Sequence, residues 1–342
     1  MKETIEIKRE MRNPSRVVVG DVLPLLEDYL PRGRRIIVIT DPNVMGFYGS
    51  VIEQYEHIVI PTGEENKTLA TVGGIYRSLI EMGADRKCYI VGFGGGIVTD
   101  VAGFAASTYL RGVEFGFVAT SLLAQVDASV GGKNGVNVDG YKNMAGIFNQ
   151  PDFVLCDTGV LQTLPPREFR AGLAEMIKAG VIDDPELFGV FERHTPEQLL
   201  ANPVLLTRAI TAAIRVKARI VEADEREAGE RRKLNLGHTV AHAVEKLSRE
   251  YNHGEAVGIG LAAIADIAVK LAMLTAGDRD RIVAAVEKAG LPVKTAVPKA
   301  EITEALTRDK KVEQSAVWLV VPRAIGDTEI RRTSFGELAG LL

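Results

Sequence analysis

Residues 88–106 read CYIVGFGGGIVTDVAGFAA: an apolar run typical of a strand, three glycines (Gly94, Gly95 and Gly96), and then a helical pattern. Glycines have no Cβ atom, so the backbone can approach a ligand closely, and the following helix offers unpaired N–H groups to an anion. The motif therefore predicts a pyrophosphate site, although it lacks the spacing of the GxGxxG fingerprint. A tight strand-to-helix turn without a ligand is the alternative explanation of the same residues.

The alternation of strand and helix patterns extends over the first half of the chain. Runs rich in Val, Ile and Phe predict buried strands at 16–20, 34–40, 57–61, 88–93 and 115–120. Helical patterns lie between several of them, at 67–83 and 97–108. This order predicts an α/β domain over residues 1–165, Rossmann-like, with a mainly parallel sheet and helices on both faces.

The composition changes after LQTLPPREF (161–169). From about residue 166 to 308 the periodicity is helical, and a late β element follows at 315–322. We therefore expect a second, mostly α-helical domain over residues 166–342.

Length and charge limit the class of protein. The chain has 342 residues and a formal net charge of -4, so there is no general basic excess of the kind that drives nucleic-acid binding. The N-terminus, MKETIEIKRE, lacks the apolar stretch of a signal peptide, and the apolar segment 256–274 contains Asp266 and Lys270. These features predict a cytoplasmic protein with no nucleic-acid or membrane partner.

Polar residues follow several predicted strands besides the one that ends at the glycines. They are Asp41, Asn43, Glu64, Lys67, Thr120 and Ser121. In an open parallel sheet, ligands bind at the carboxyl ends of the strands, so these residues predict a nucleotide crevice. Either Asp41 or Glu64 could accept hydrogen bonds from ribose hydroxyls.

A long polar segment, QVDASVGGKNGVNVDGYKNMAG (125–146), carries Lys133 and Lys142 among glycines and asparagines. A loop of this length in a compact domain is usually functional or disordered, and its apolar residues argue against disorder. We expect it to bind an anionic substrate or a nucleotide phosphate, with a solvated surface loop as the alternative.

Three of the five histidines fall within residues 238–253. His238 and His242 are four apart, so a helix places them on one face, as two ligands of one metal require. Thr239 stands where the zincin pattern needs Glu. With His253 as a further ligand and Glu175 on an apolar helix as a carboxylate ligand, the segment predicts a metal site. Histidines that merely lie on a helix are the alternative.

Cationic residues accompany this segment. They are Lys178, Lys217, Arg231, Lys233, Lys310 and Lys311. A solvated charged surface would explain some of them, but next to a metal site they favour a pocket for phosphate or carboxylate.

Six motifs occur in the order found in one known family. They are GGGIVTDVAGFAASTYLRG, VDASVGGKNGVN with GYKN, LPPREFRAGLAEMIK, ADEREAG, LNLGHTVAHAVE and HGEAVGIG. Over roughly residues 35–335, the chain resembles the 3-dehydroquinate synthases of the sugar-phosphate cyclase superfamily. The resemblance implies NAD in the N-terminal domain, and Zn²⁺, or alternatively Co²⁺, on Glu175, His238 and His253 in the C-terminal domain.

The resemblance also implies roles for further residues. NAD contacts would be Asp41, Asn43, Glu64, Lys67, Gly95, Gly96, Ile97, Asp100, Thr120, Ser121, Lys142 and Thr163. Substrate contacts would be Asp127, Lys133, Asn143, Lys178, Lys217, Arg231, Asn235, His242 and Lys310. Arg111 would reach the substrate phosphate of a neighbouring subunit, because the family forms homodimers.

The reaction implied is that of a carbon–oxygen lyase in the shikimate pathway of aromatic amino-acid biosynthesis. It converts 3-deoxy-D-arabino-heptulosonate 7-phosphate to 3-dehydroquinate and phosphate by transient oxidation, phosphate elimination, re-reduction, ring opening and an intramolecular aldol reaction. Asn134 and Glu230 depart from the common family pattern near the expected pocket, where they would bear on substrate choice. Alternatives are another sugar-phosphate cyclase, a metal-dependent polyol dehydrogenase, and a non-catalytic NAD-binding relative.

Overall fold

The computed structural model describes residues 1–9, 13–308 and 316–342. The chain divides into two compact units, Met1–Pro165 and Pro166–Leu342. No helix among the described residues is both long and apolar enough to cross a membrane. The two cysteines, Cys88 and Cys156, are buried free thiols.

The first unit alternates strands and helices. Strands β1–β9 span Lys2–Ile7, Ser15–Gly20, Ile36–Thr40, Glu56–Val59, Tyr89–Gly94, Glu114–Ala119, Lys133–Val138, Tyr141–Phe148 and Phe153–Asp157. Helices α1–α4 span Leu26–Tyr29, Pro42–Ile52, Leu69–Glu81 and Gly96–Thr108.

A seven-stranded sheet forms the centre of this unit, in the order β1-β2-β9-β6-β5-β3-β4. All pairs are parallel except β1 with β2, which confirms the predicted mainly parallel sheet. Val91 and Phe93 of β5 lie in its core beside Val38, Val118 and Leu155. Because β4, β3, β5 and β6 are neighbours, the residues that follow their carboxyl ends share one edge of the sheet.

Residues 125–146 are not the long loop expected from their composition. A short π-helical turn, Ala124–Ala128, leads into β7 and β8, which form an antiparallel hairpin with Lys133 opposite Phe148. The turn contains Asp139 and Gly140, both with positive φ, as two-residue hairpin turns require. Asn134 is buried and donates to the carbonyls of Gly132 and Asn149. It stabilises the hairpin from inside rather than facing solvent.

The second unit is mostly helical, which confirms the second part of the predicted fold class. Helices α5–α13 span Pro166–Asp183, Pro185–Arg193, Pro196–Leu200, Pro203–Ala223, His238–Leu247, His253–Lys270, Ala276–Lys288, Lys299–Arg308 and Phe335–Leu341. Strands β10 and β11, Ala316–Ala324 and Asp327–Ser334, form an antiparallel pair. A 3-10 turn, Glu230–Asn235, precedes α9.

Helix α10 is largely buried within this unit, and a capping box defines its first turn. Its N-cap residue is Asn252, whose side chain accepts from the Glu255 amide, while the Glu255 carboxylate accepts from the amide of Asn252. This reciprocal arrangement satisfies two backbone donors and fixes where the helix begins. The first helical residue is therefore His253, a position that sets the geometry of the site described next.

Candidate functional site

Glu175, His238 and His253 come together in the second unit. Their donor atoms all lie within 4.8 Å of one another. His253 Nε2 lies 3.2 Å, and His238 Nε2 3.5 Å, from Glu175 Oε1. One carboxylate and two imidazoles are a donor set typical of a catalytic zinc site, which uses three protein ligands and keeps a fourth position open. The residues present therefore fit the predicted metal.

Close packing of α9 against α10 brings the two histidines together. Gly237, directly before α9, has φ 76°. A Cβ atom there would lie 2.9 Å from the carbonyl carbon of Gly260 in α10, and a Cβ on Gly260 would lie 2.2 Å from Gly237 O. Only glycine at both positions permits this approach. It places His238, the first residue of α9, beside His253, with ring centroids 5.5 Å apart.

Each of the two histidines has a partner for its other nitrogen. His238 Nδ1 lies 3.1 Å from the carbonyl oxygen of Leu236, and His253 Nδ1 lies 3.4 Å from Glu245 Oε1. Such partners fix the tautomer and the ring orientation and leave Nε2 to bind a metal. Glu245 is not among the site residues that we predicted from the sequence. Its position two helical turns after His238 is the signal that could have identified it.

The electrostatics of the cluster favour an ionised carboxylate. Burial alone would raise the pKa of Glu175, but the Lys178 ammonium and the two histidines hold this pKa well below its usual range. Lys178 forms an ion pair with Glu175 one turn along α5, and both side chains are almost fully buried. Burial lowers the pKa of His253, yet the bonds to Glu175 and Glu245 raise it to about 10. A metal cation would take the place of that proton.

His242 is not part of this donor group within the described residues. It is exposed, and its ring meets that of His238 edge-on, with centroids 5.3 Å apart. The i, i+4 spacing does place the rings of His238 and His242 together. The third donor beside His238 and the Glu175 carboxylate, however, is His253 rather than His242.

Buried cationic side chains lie on α5, which carries Glu175, and on segments that pack against it. Lys217 on α8 and Arg231 on the 3-10 turn are buried, and both segments pack against α5, which carries Lys178. The guanidinium of Arg231 donates to the carbonyl of Glu225. Asn235 Nδ2 donates to Glu227 Oε1 at 2.5 Å. Lys178, Lys217 and Arg231 thus bring positive charge to neighbouring elements of this unit, which suits a carboxylate- or phosphate-bearing ligand.

Glu230, one of the residues that depart from the family pattern, forms an ion pair. Its side chain is more than half exposed and pairs with Lys233 at 2.8 Å. An exposed ion pair of this kind contributes little to stability, and an effect of Glu230 on substrate choice stays a prediction.

In the first unit, several predicted cofactor residues follow the carboxyl ends of neighbouring strands. Asp41 accepts from the amides of Asn43 and Val44 and so caps α2. Gly95 is the N-cap of α4, and the Thr120 amide donates to Gly94 O, joining the ends of β5 and β6. The free amides at the start of α4 therefore open at the same edge as these polar residues.

A largely buried ion pair follows the ends of the strands in this unit. Lys67 Nζ donates to Asp100 Oδ2 and lies 2.7 Å from Asn143 Oδ1. Burial raises the pKa of Asp100 to about 6, although the Lys67 ammonium opposes that rise. The structure thus groups two predicted NAD contacts with a predicted substrate contact.

The other predicted residues of the first unit have varied settings. Ser121 Oγ accepts from the Ala124 amide, and Thr163 Oγ1 bonds to Tyr48 OH. Asp127 lies in the π-helical turn, Ile97 is in the first turn of α4, and Lys133, Lys142 and Arg111 are exposed. Arg111 itself has φ 71°, in a turn where Leu110 also has positive φ. Lys310 lies outside the described residues.

Solved structures with this fold define the class. The chain is 28% identical to 2-epi-5-epi-valiolone synthase from Streptomyces hygroscopicus subsp. jinggangensis 5008, solved with NAD⁺ and Zn²⁺, with a TM-score of 0.88 over 98% of both chains. It is 26% identical to 2-deoxy-scyllo-inosose synthase in complex with carbaglucose-6-phosphate, NAD⁺ and Co²⁺, with a TM-score of 0.87 over 99% of both. The fold is therefore that of the sugar-phosphate cyclases.

Sequence comparison gives the family within that class. Residues 57–171 match the family described as 3-dehydroquinate synthase N-terminal, and residues 172–312 match its C-terminal counterpart. The chain is 45% identical to the 3-dehydroquinate synthase of Geobacter metallireducens, over 88% of this chain and 86% of that one. For the enzyme of Pelobacter propionicus the identity is 43%, over 95% and 94%. The chain belongs to the 3-dehydroquinate synthase family.

Proposed function

We propose that the chain catalyses the 3-dehydroquinate synthase reaction, the conversion of 3-deoxy-D-arabino-heptulosonate 7-phosphate to 3-dehydroquinate and phosphate. The observation that carries the proposal is the group of Glu175, His238 and His253, with Lys178 paired to its carboxylate. It occurs in a chain whose curated relatives at 42% to 45% identity are 3-dehydroquinate synthases. The enzyme would be a carbon–oxygen lyase, because carbon–oxygen cleavage releases the phosphate.

Each unit has its own part in this proposal. The first unit binds NAD, and the second binds the metal and the greater part of the substrate. NAD would supply the hydride acceptor and donor of the reaction, and Zn²⁺ or Co²⁺ would supply a Lewis acid. The chain itself would position the reactants and provide charge, through side chains that hydrogen bonds and ion pairs hold in place before the substrate binds.

The substrate carries a carboxylate and a phosphate, and the buried cations match this charge. Lys178 is held at the metal group by its ion pair with Glu175, so its ammonium is fixed in orientation before substrate binds. Arg231, buried and anchored through its guanidinium, offers planar donors suited to a carboxylate or phosphate. Lys217, Asn235 and His242 complete the proposed substrate contacts in this unit.

In the first unit, the amides at the N-terminus of α4 would bind the pyrophosphate of NAD. The polar residues that follow the carboxyl ends of the neighbouring strands would hold its riboses. On the hairpin, Lys133 and Asn143 would contact the substrate, and Lys142 would contact NAD. Lys310 is proposed as a further substrate contact on the family pattern alone.

We also propose a homodimer in which Arg111 reaches the substrate of the neighbouring subunit. Co-expression of an Arg111→Ala chain with a His253→Ala chain tests it. A hybrid dimer has one site with both residues intact, so activity above that of either variant supports the proposal, and no gain contradicts it. Cytoplasmic location stays a prediction.

Substrate identity is tested with a panel of sugar phosphates. Purified enzyme with NAD and Zn²⁺ is given 3-deoxy-D-arabino-heptulosonate 7-phosphate, sedoheptulose 7-phosphate or glucose 6-phosphate, and products are identified by mass spectrometry. We expect turnover of the first, which alone has a carboxylate. Arg231→Met should lower kcat/KM at least about a hundredfold. Arg232→Met is the matched control, because Arg232 stacks on Trp318 instead. Preferred turnover of a substrate without a carboxylate would refute the assignment.

A further inference from the structure

Asn137 on β7 contacts three residues of the proposed site in the first unit. Its side-chain Nδ2 donates to Glu64 Oε1 at 2.8 Å and lies 3.3 Å from the Glu64 carbonyl. Its Oδ1 accepts from the Asn143 amide at 2.8 Å. Its own backbone amide donates to Lys67 O at 2.8 Å. One side chain therefore joins the turn after β4 to the hairpin strand that follows β7.

The chemistry of the partners fixes the orientation of this amide. The Asn143 amide only donates, so it requires the oxygen of Asn137, and the Glu64 carboxylate only accepts, so it requires the nitrogen. If the Asn137 amide were rotated by 180°, its NH₂ group would face the backbone N–H of Asn143, and its oxygen would face the Glu64 carboxylate. Asn143 also has φ 53°, an uncommon conformation for a residue other than glycine, and the bond from its amide to Asn137 stabilises it.

We propose that Asn137 is a positioning residue that holds the Glu64 carboxylate for NAD and the Asn143 side chain for substrate. The inference rests on the proposed function, because that function gives Glu64 and Asn143 their ligands. Asn143 Oδ1 in turn accepts from Lys67 Nζ, which is paired with Asp100. Cofactor and substrate contacts thus form one hydrogen-bonded unit with Asn137 at its centre.

Asn137→Asp separates the two halves of this role. Aspartate has nearly the same shape and still accepts from the Asn143 amide, but it cannot donate to Glu64 and places a second negative charge beside it. The Glu64 carboxylate should move away, so the Kd for NAD should rise about tenfold or more. Asn137→Ala should weaken NAD binding and also raise the KM for substrate, because it loses both bonds.

The experiment is a double-mutant cycle on the full chain, with NAD binding measured by calorimetry. Asn137→Asp, Glu64→Ala and the double variant are compared with the unmodified protein. Because Asn137 acts through Glu64, we expect the double variant to bind NAD no more weakly than Glu64→Ala alone. Asn149→Asp is the matched control. Asn149 follows β8, and its Nδ2 donates to Ser107 Oγ, away from these contacts.

Two outcomes overturn the inference: an unchanged Kd in Asn137→Asp, or additive losses in the double variant, as general destabilisation would give. If Asn137→Asp does not fold, Asn137→Ala, which has no side-chain donor, takes its place in the cycle. NAD binding is measured without substrate, so the result of the double-mutant cycle stays valid even if the chain turns over a different sugar phosphate. Failure of the substrate panel and failure of this inference are therefore distinguishable.

Discussion

His253 Nε2 lies 3.2 Å from Glu175 Oε1, although 78 residues separate them in sequence. The capping box at Asn252 starts α10 at His253, and the glycine contact at Gly237 brings α9 alongside. The metal group is thus assembled by a helix start and a close helix crossing, each set by identifiable residues.

The first prediction concerns which histidines bind the metal. Alanine in place of Glu175, His238 or His253 removes a ligand, so each purified variant should lose its bound metal, as measured by plasma emission spectroscopy. His242→Ala should keep about one ion per chain, because three protein ligands remain. His57→Ala, on β4 of the first unit, is a control for handling losses. Metal loss in His242→Ala with retention in His253→Ala would contradict the ligand set.

Glu245 provides a second prediction. It orients His253 through Nδ1, so Glu245→Ala should weaken Zn²⁺ binding about 10- to 100-fold in a chelator competition assay. Glu245→Gln keeps an acceptor oxygen and should lose less. Glu250→Ala, an exposed acidic residue just beyond α9, should be neutral. Equal affinities in all of these proteins would show that Glu245 has no such role.

A third prediction concerns the start of α4. A Cβ on Gly95 would lie 3.4 Å from Ser121 Oγ, an ordinary contact, so Gly95→Ala should fold with little change in Tm. The added methyl group stands where the pyrophosphate approaches, so the Kd for NAD should rise at least about tenfold. Gly74→Ala within α3 is the matched control. Unchanged NAD affinity in Gly95→Ala would show that this turn does not contact the cofactor.

The pH dependence of NAD binding is a fourth prediction. The pKa of Asp100 is raised to about 6, mainly by burial. The carboxyl is therefore about nine-tenths protonated at pH 5 and about nine-tenths ionised at pH 7. The ionised form holds Lys67 and can accept from NAD, so affinity should fall as the pH drops through about 6.

Calorimetry between pH 5 and pH 8 checks this. Asp100→Asn cannot titrate, so its NAD affinity should be lower at pH 7 and should vary less with pH. The same pH profile in both proteins would mean that another group controls binding.

Sequence alone predicts those parts of the site that depend on local pattern. The strand and glycine turn at 88–96 are local, and so is the cost of Glu175 within an apolar helix, which indicated a metal or ion-pair partner. The motifs also identify the family, on which most of the proposed residue roles rest.

What depends on packing cannot be obtained from spacing. His242 and His253 both suit a metal by spacing. The position of His253 beside His238 depends on the approach of Gly237 to Gly260, which are not neighbours in sequence. The β7–β8 hairpin escapes prediction because β8 is exposed over most of its length, so it has no alternation of buried and exposed residues. Asn137 and Asn134 are polar residues whose partners lie in other segments or across the hairpin.

The measurement that tests the account most directly is the stoichiometry of one reaction. Enzyme, NAD and Zn²⁺ are incubated with 3-deoxy-D-arabino-heptulosonate 7-phosphate, and phosphate, 3-dehydroquinate and NADH absorbance are followed together. We predict phosphate and 3-dehydroquinate in equal amounts with no net NADH, because each hydride removed is returned. NADH that accumulates without phosphate release would contradict the account and indicate a simple dehydrogenase.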